Sequence, residues 1–140
     1  MTQARYTAVH LDDIPQLEYE GHAETHDWHP LRIHFGITSF GTNAYTANVA
    51  GESVVGEHDE SDTQHEELYF VMRGHAQFEV AGEQVDAPAG TFVYVPDPNV
   101  LRSAVAEAAP TTVLGFGGIP GRAFTVSEWE QEYDPAAGAS

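Results

Sequence analysis

From Leu31 to Phe116 the chain is written in short runs of period two, broken by Gly and Pro. Alternation puts successive side chains on opposite faces of an extended backbone, so each run predicts a half-buried strand. Over Leu31–Phe40, Ile33, Phe35 and Ile37 alternate with Arg32, His34 and Gly36. Asn43–Val49 is a second run, and Glu67–Arg73 sets aromatic and β-branched residues in a row. After Gly74, His75–Val80 alternates Ala76, Phe78 and Val80 against His75, Gln77 and Glu79. Ala81-Gly82-Glu83 reads as a hairpin turn before Gln84–Ala87, and Pro88-Ala89-Gly90 as a turn before Thr91–Val95. Pro96-Asp97-Pro98-Asn99 closes that strand; Val100–Ala106 and Thr111–Phe116 complete the series. Many short strands with Gly/Pro turns predict an all-β sandwich or barrel.

Helix is scarce. Ser127-Glu128-Trp129-Glu130 has the form of a capping box and predicts a short C-terminal helix through Tyr133. Leu11–Leu17 holds at most one turn, with Asp12 or Asp13 as its cap. The expected organisation is an N-terminal extension over 1–30, a barrel over 31–126, and a helix with a polar tail over 127–140. Residues 20–30 read as a His-rich loop, with Trp28 and Pro30 pinning it to the barrel mouth. At 140 residues one domain is expected, large enough to bury a core without staples.

Charge narrows the partners. Five basic residues, all arginine, stand against 22 acidic ones, for a net charge of −17. Such a surface repels nucleic-acid phosphates and anionic membranes. With no cysteine, disulfides, iron–sulfur clusters, thiolate zinc sites and cysteine nucleophiles are excluded. Met1–His10 has no apolar stretch of the signal-peptide kind, and no run approaches the ~20 apolar residues of a membrane helix. The expected location is the cytoplasm.

Two segments carry a family resemblance. In His65-Glu66-Glu67-Leu68-Tyr69-Phe70-Val71-Met72-Arg73-Gly74, Glu67 is followed by six residues and a glycine. In Gly90-Thr91-Phe92-Val93-Tyr94-Val95-Pro96, a glycine is followed by five residues and a proline. Together, with a short hairpin between them, these resemble the two motifs of the cupin superfamily. The resemblance covers about half the chain. It implies an all-β jelly-roll barrel (double-stranded β-helix) that binds small molecules in its mouth and dimerises. It also implies a metal held by two histidines one residue apart, a glutamate, and a histidine of the second motif. Counted back from Glu67, the histidine pair falls on Ser61 and Thr63 or on Glu60 and Asp62; the second-motif histidine falls on Leu101. Of the implied ligands only Glu67 is in place.

The residues offer another route to a site. His58-Asp59-Glu60 and His65-Glu66-Glu67 are each His-x-acid. If Glu67 faces inward, His65, Tyr69 and Val71 do too, and His58 and Glu60 share a face of the preceding strand. A set of His58, Glu60, His65 and Glu67 suits a divalent transition metal such as Zn, Fe, Mn or Ni. The same segment equally reads as a solvated acidic loop. An inward Glu67 needs a partner, and a metal, His65, Tyr94 and Arg102 are the candidates. Glu67, Tyr69, Tyr94 and Arg102 are the expected pocket residues; Tyr69, Phe78, Phe92 and Tyr94 either line a cavity or fill the core. Arg102 either meets a substrate carboxylate or pairs with Glu67. His22, His26, His29 and His34 follow no strand or helix pattern and read as a surface loop and an outward strand residue. Gly115–Gly121 lacks the helix that a nucleotide-binding loop needs and reads as a turn leaving the barrel.

The function expected from these residues is binding of a small ligand, with the metal motif mostly lost. The alternatives are a metal-dependent enzyme of dioxygenase or isomerase type using His58, His65 and Glu67, and a structural dimeric barrel. The apolar face Leu68, Phe70 and Met72 predicts a homodimer.

Overall fold

The computed structural model describes residues 5–17 and 26–134. In chain order its strands are β1 (Asp27–His29), β2 (Gly41–Ala47), β3 (Ser53–His58), β4 (Glu66–Arg73), β5 (His75–Val80), β6 (Glu83–Pro88), β7 (Phe92–Val95), β8 (Arg102–Ala106) and β9 (Thr111–Gly118). Two short helices, α1 (Leu31–Phe35) and α2 (Glu128–Gln131), flank them, with a 3-10 turn at Leu11–Asp13. The strands form two antiparallel sheets, ordered β1-β2-β9-β4-β7 and β3-β8-β5-β6. Their inner faces enclose one core, built on Val54, Tyr69, Val71, Phe78 and Val113. Among the described residues no helix is long and apolar enough to cross a membrane.

The alternation holds through β4: Tyr69 and Val71 point into the core, while Leu68, Phe70 and Met72 lie on the outer face. The paired register then fixes what else faces inward. Glu67 aligns with Gly117, which aligns with Gly41; Tyr69 aligns with Gly115, which aligns with Asn43. A second, smaller cluster lies on the other face of β2 and β9. There Ile14 and Leu31 pack on Ala44, so the N-terminal segment covers the outside of the sheet.

Three expectations need correction. The Leu31–Phe40 run is not a strand, and the sheet begins at Asp27, inside the stretch expected to be an extension. Leu31–Phe35 coils because Gly36, at φ 71°, supplies a left-handed cap whose N–H meets the Arg32 and Ile33 carbonyls. Coiling also buries Arg32, whose partners lie near the C-terminus. His26 and His29 are not on a surface loop: both are buried, facing the Ser53 and Ile14 carbonyls at 3.1 Å each. His34 is exposed on α1, and His22 lies outside the described residues. Ser127 does stand at the N-cap of α2, but its side chain makes no capping bond. Glu130, the residue that would reach back to it, is drawn inward by Arg32 instead.

Gly74 ends β4 at φ 80°, where a Cβ would lie 2.3 Å from Thr111 Oγ1 and 2.4 Å from the Pro110 carbonyl oxygen. Gly82 has a similar φ of 79° with open space around it. Gly82→Ala is expected to cost about 1 kcal/mol, the left-handed penalty alone. Gly74→Ala adds a backbone clash and should cost about 3 kcal/mol or more. Urea denaturation of both variants checks the difference.

Candidate functional site

A cavity of about 290 Å³ opens at one end of the barrel. β2, β3, β4 and β9 form its floor and sides, and residues Phe124, Ser127, Trp129 and Glu130 close it from above. Glu67 stands at its centre. Its Oε1 accepts hydrogen bonds from Arg102 Nη1 at 2.6 Å and Tyr69 Oη at 2.6 Å, and lies 3.3 Å from His58 Nε2. Glu60 Oε1 lies 3.2 Å from the same His58 nitrogen, and Glu60 Oε2 accepts from Thr63 Oγ1 at 2.7 Å.

His58 Nδ1 donates to the Gly56 carbonyl at 2.7 Å, so its Nε2 faces two carboxylates. Burial pushes the imidazole pKa down, but the bonds to Glu60 and Glu67 and the Glu67 charge outweigh this and raise it from 6.5 to about 10. The ring is therefore an imidazolium at neutral pH. Burial pushes the Glu67 carboxyl up; the His58 bond and charge, the Tyr69 bond and the Arg102 charge together hold it below its ordinary value. Burial first, then the Glu67 charge and bond, drive the Tyr69 phenol well above 10.

Of the expected metal residues, His58, Glu60 and Glu67 converge, with one ligand atom each inside a 4.8 Å spread. The pair ahead of Glu67 is His58-x-Glu60. The turn Ser61–Gln64 separates it from β4 and folds back so that Gln64 N–H donates to the Glu60 carbonyl at 2.7 Å. His65 stands beside this set. It is buried, stacks on Phe124 at 5.2 Å, and donates from Nε2 to the Thr125 carbonyl at 3.0 Å. Its Nδ1 lies 3.9 Å from Glu60 Oε2.

Of the expected pocket residues, Glu67 and Tyr69 line the cavity. Arg102 is fully buried behind Glu67: Nε and Nη2 donate to the Val100 and Asp97 carbonyls at 2.9 and 3.1 Å. Tyr94 belongs to the opposite face, because the alternation of β7 turns it outward; it is 57% exposed and donates to Glu66 Oε2 at 2.8 Å. Phe92 is likewise outside, and Phe78 is core. Leu101, at the second-motif histidine position, is exposed, since alternation gives the inward place to Arg102.

Several site residues carried no signal in the sequence. Gly115, within the expected strand Thr111–Phe116, and Gly117, expected in a departing turn, both lie in β9 and face the cavity, where a missing side chain leaves room. Gly41 is a socket: a Cβ there would meet Phe124 at 3.1 Å. The upper wall is held by a second ion pair. Arg32 Nε donates to Glu130 Oε2 at 2.8 Å and its Nη2 pairs with Asp134. Asn43 Nδ2 donates to Glu130 Oε1 at 3.2 Å and its Oδ1 accepts from Trp28 Nε1 at 2.8 Å. Trp28 in turn packs between Trp129 and Tyr133, each at 5.0 Å.

The sequence matches no family model. It matches no curated protein either. Solved structures match the fold. A sugar phosphate isomerase from a cupin superfamily, from Silicibacter pomeroyi, superposes with a TM-score of 0.65 at 16% identity, over 79% of this chain and 74% of that one. A predicted oxalate decarboxylase from Thermotoga maritima gives 0.64 at 17% identity, over 79% and 97%. A cupin protein from Bacteroides fragilis gives 0.58 at 18% identity, over 80% and 91%. The chain has the cupin fold. In this cupin barrel Glu67 of β4 is anchored by Arg102 of β8, and His58 and Glu60 stand beside it.

The His58 imidazolium gives a signed pH dependence. Its folded pKa lies above the ordinary 6.5, so its stabilisation is complete below that value and fades as pH rises toward about 10. In thermal melts, the margin of the wild type over His58→Gln is expected to shrink steadily between neutral pH and about 10. A margin constant over that interval contradicts the assignment.

Proposed function

We propose that this chain binds a small molecule in the mouth of its cupin barrel. The observation that carries this reading is the cavity itself. Barrels of this size normally fill their interior with side chains, yet here three inward glycines and a segment arched over the opening keep about 290 Å³ open around a charged centre. That volume sits at the lower end of ligand pockets, roughly 300–1,000 Å³. A barrel serving structure alone has no use for the opening, and this counts against the purely structural reading.

A second reading rests on the convergence of His58, Glu60 and Glu67. One imidazole and two carboxylates fit a divalent ion of the Zn, Fe, Mn or Ni class by donor type. When bound, such an ion supplies Lewis acidity and positive charge to a ligand or water beside it. The protein's own groups set its terms. His58 must release the Nε2 proton to become a ligand. Tyr69 and Arg102 hold Glu67 in place, while the Arg102 guanidinium opposes a second positive charge next to it. These oppositions favour the first reading.

The experiment is metal analysis of untagged protein, followed by thermal shifts against a small-molecule panel before and after chelation. Substoichiometric metal and shifts that survive chelation are expected. Stoichiometric metal, lost in His58→Ala/Glu67→Ala, moves the assignment to a metal-dependent enzyme.

We also propose that the outer face of β4 and β7 joins two copies of the chain. Phe92 is 63% exposed there, its ring 4.6 Å from Phe70, beside Tyr94. Sedimentation at micromolar concentration should give about twice the 15.2 kDa of one chain, falling to one chain in Phe92→Glu. A wild-type mass of a single chain rejects the dimer.

A further inference from the structure

The arginines decide which ligands the cavity accepts. The chain has no lysine and five arginines. Arg102 is the one nearest the cavity, and all three of its nitrogens donate within the protein. Arg32 is committed to Glu130, Asp134 and the Ile37 carbonyl. Arg73 bonds Thr112 at 2.7 Å and does not line the cavity; exposed Arg5 and Arg122 do not line it either. His58 spends one nitrogen on Gly56 and the other on Glu60 and Glu67. No lysine or arginine offers the cavity a cation that is not already paired.

What the cavity does offer is acceptors. Glu67 concentrates its donors on Oε1; among the described residues Oε2 takes none. His65 donates from Nε2 to the Thr125 carbonyl, and its Nδ1 faces Glu60 Oε2 at 3.9 Å. Gly117 lies between them: a Cβ built there would stand 3.5 Å from Glu67 Cγ and 3.7 Å from His65 Nδ1. The missing side chain leaves a notch beside the Glu67 side chain, with the Glu66 carbonyl oxygen 3.4 Å from the same point. Aromatic rings of Tyr45, Phe124 and Trp129 also line the cavity, and their π faces favour cations and C–H groups over anions.

Resting on the small-ligand reading above, we infer that the notch at Gly117 selects a hydrogen-bond donor, an ammonium or hydroxyl group of a small ligand, and excludes carboxylates and phosphates. An anion there would be desolvated against Glu67, with no free cation to replace its water.

The test is a fragment screen by ligand-observed NMR, using one library of amines, polyols, carboxylates and phosphates. Hits are placed by shifts of the Gly117 and His65 amide signals in labelled wild-type protein, so placement does not depend on a variant folding. Gly117→Ala, whose Cβ meets neighbours only at ordinary contact distance, should weaken notch hits by about tenfold. Expected notch hits are amines or polyols; added salt weakens the amines and spares the polyols, which separates the two sources of the donor. Carboxylates or phosphates among the notch hits, in protein as purified or after chelation, overturn the donor selection while leaving small-molecule binding standing. Hits that bind the cavity without moving Gly117 or His65 overturn the notch. An empty cavity across the whole library overturns the small-ligand reading as well.

Discussion

One buried ion pair, Arg102 with Glu67, holds the mouth of the barrel together. Arg102 belongs to β8 and Glu67 to β4, in different sheets, so a single 2.6 Å contact ties the two walls at the open end. A fully buried guanidinium has no tolerable state without an anion, and breaking such a pair by removing one partner typically costs about 3–5 kcal/mol. The pair draws in its neighbours. His58 lies opposite Arg102 in the β3–β8 register and shares the same carboxylate; Glu60 balances the imidazolium. Two carboxylates against a guanidinium and an imidazolium leave the centre neutral. The centre therefore carries none of the chain's net charge of −17.

The second ion pair does for the ends of the chain what the first does for the sheets. Arg32 stands just after β1 and Glu130 on the last helix, 98 residues apart in sequence. Together with Trp28 between Trp129 and Tyr133, it fixes the C-terminal segment over the barrel mouth. That segment supplies the upper wall of the cavity. Residues of the segments that look like an extension and a tail, His26, Ser127, Trp129 and Glu130, thus line the site.

This explains what was legible in the sequence. Strand period and turn residues are local properties, so β5 is bounded by the same residues, His75–Val80, that its alternation marks. Local pattern fails where a distant partner decides. Leu31–Phe35 alternates like a strand, but Arg32 gains Glu130 and Asp134 only when the segment coils and buries it. His26 and His29 look like surface residues until β1 pairs with β2 and carries them inward. Glu67 was legible from its spacing to Gly74, and Tyr69 followed from alternation. Glu60 was harder to place, because its distance to Glu67 depends on a turn in which Gln64 adopts φ 61°. Gly117 reads as part of a turn because glycine is a weak strand former; its meaning appears only in register against Glu67.

The same register shows how a carboxylate serves structure and recognition at once. Arg102, Tyr69 and His58 all approach one oxygen of Glu67, from the core side and from β3. Gly117 stands opposite Glu67 on β9, and Gly41 opposite Gly117 on β2, so neither puts a side chain into that row. The three donors hold one oxygen of the carboxylate, and the glycine opposite Glu67 leaves empty the space a side chain would take. A Cβ at 117 would stand 3.5 Å from Glu67 Cγ, at ordinary contact distance. The inward arginine that sequence alone leaves open as an anion receptor instead immobilises the acceptor, and the cavity's preference follows from the oxygen that remains.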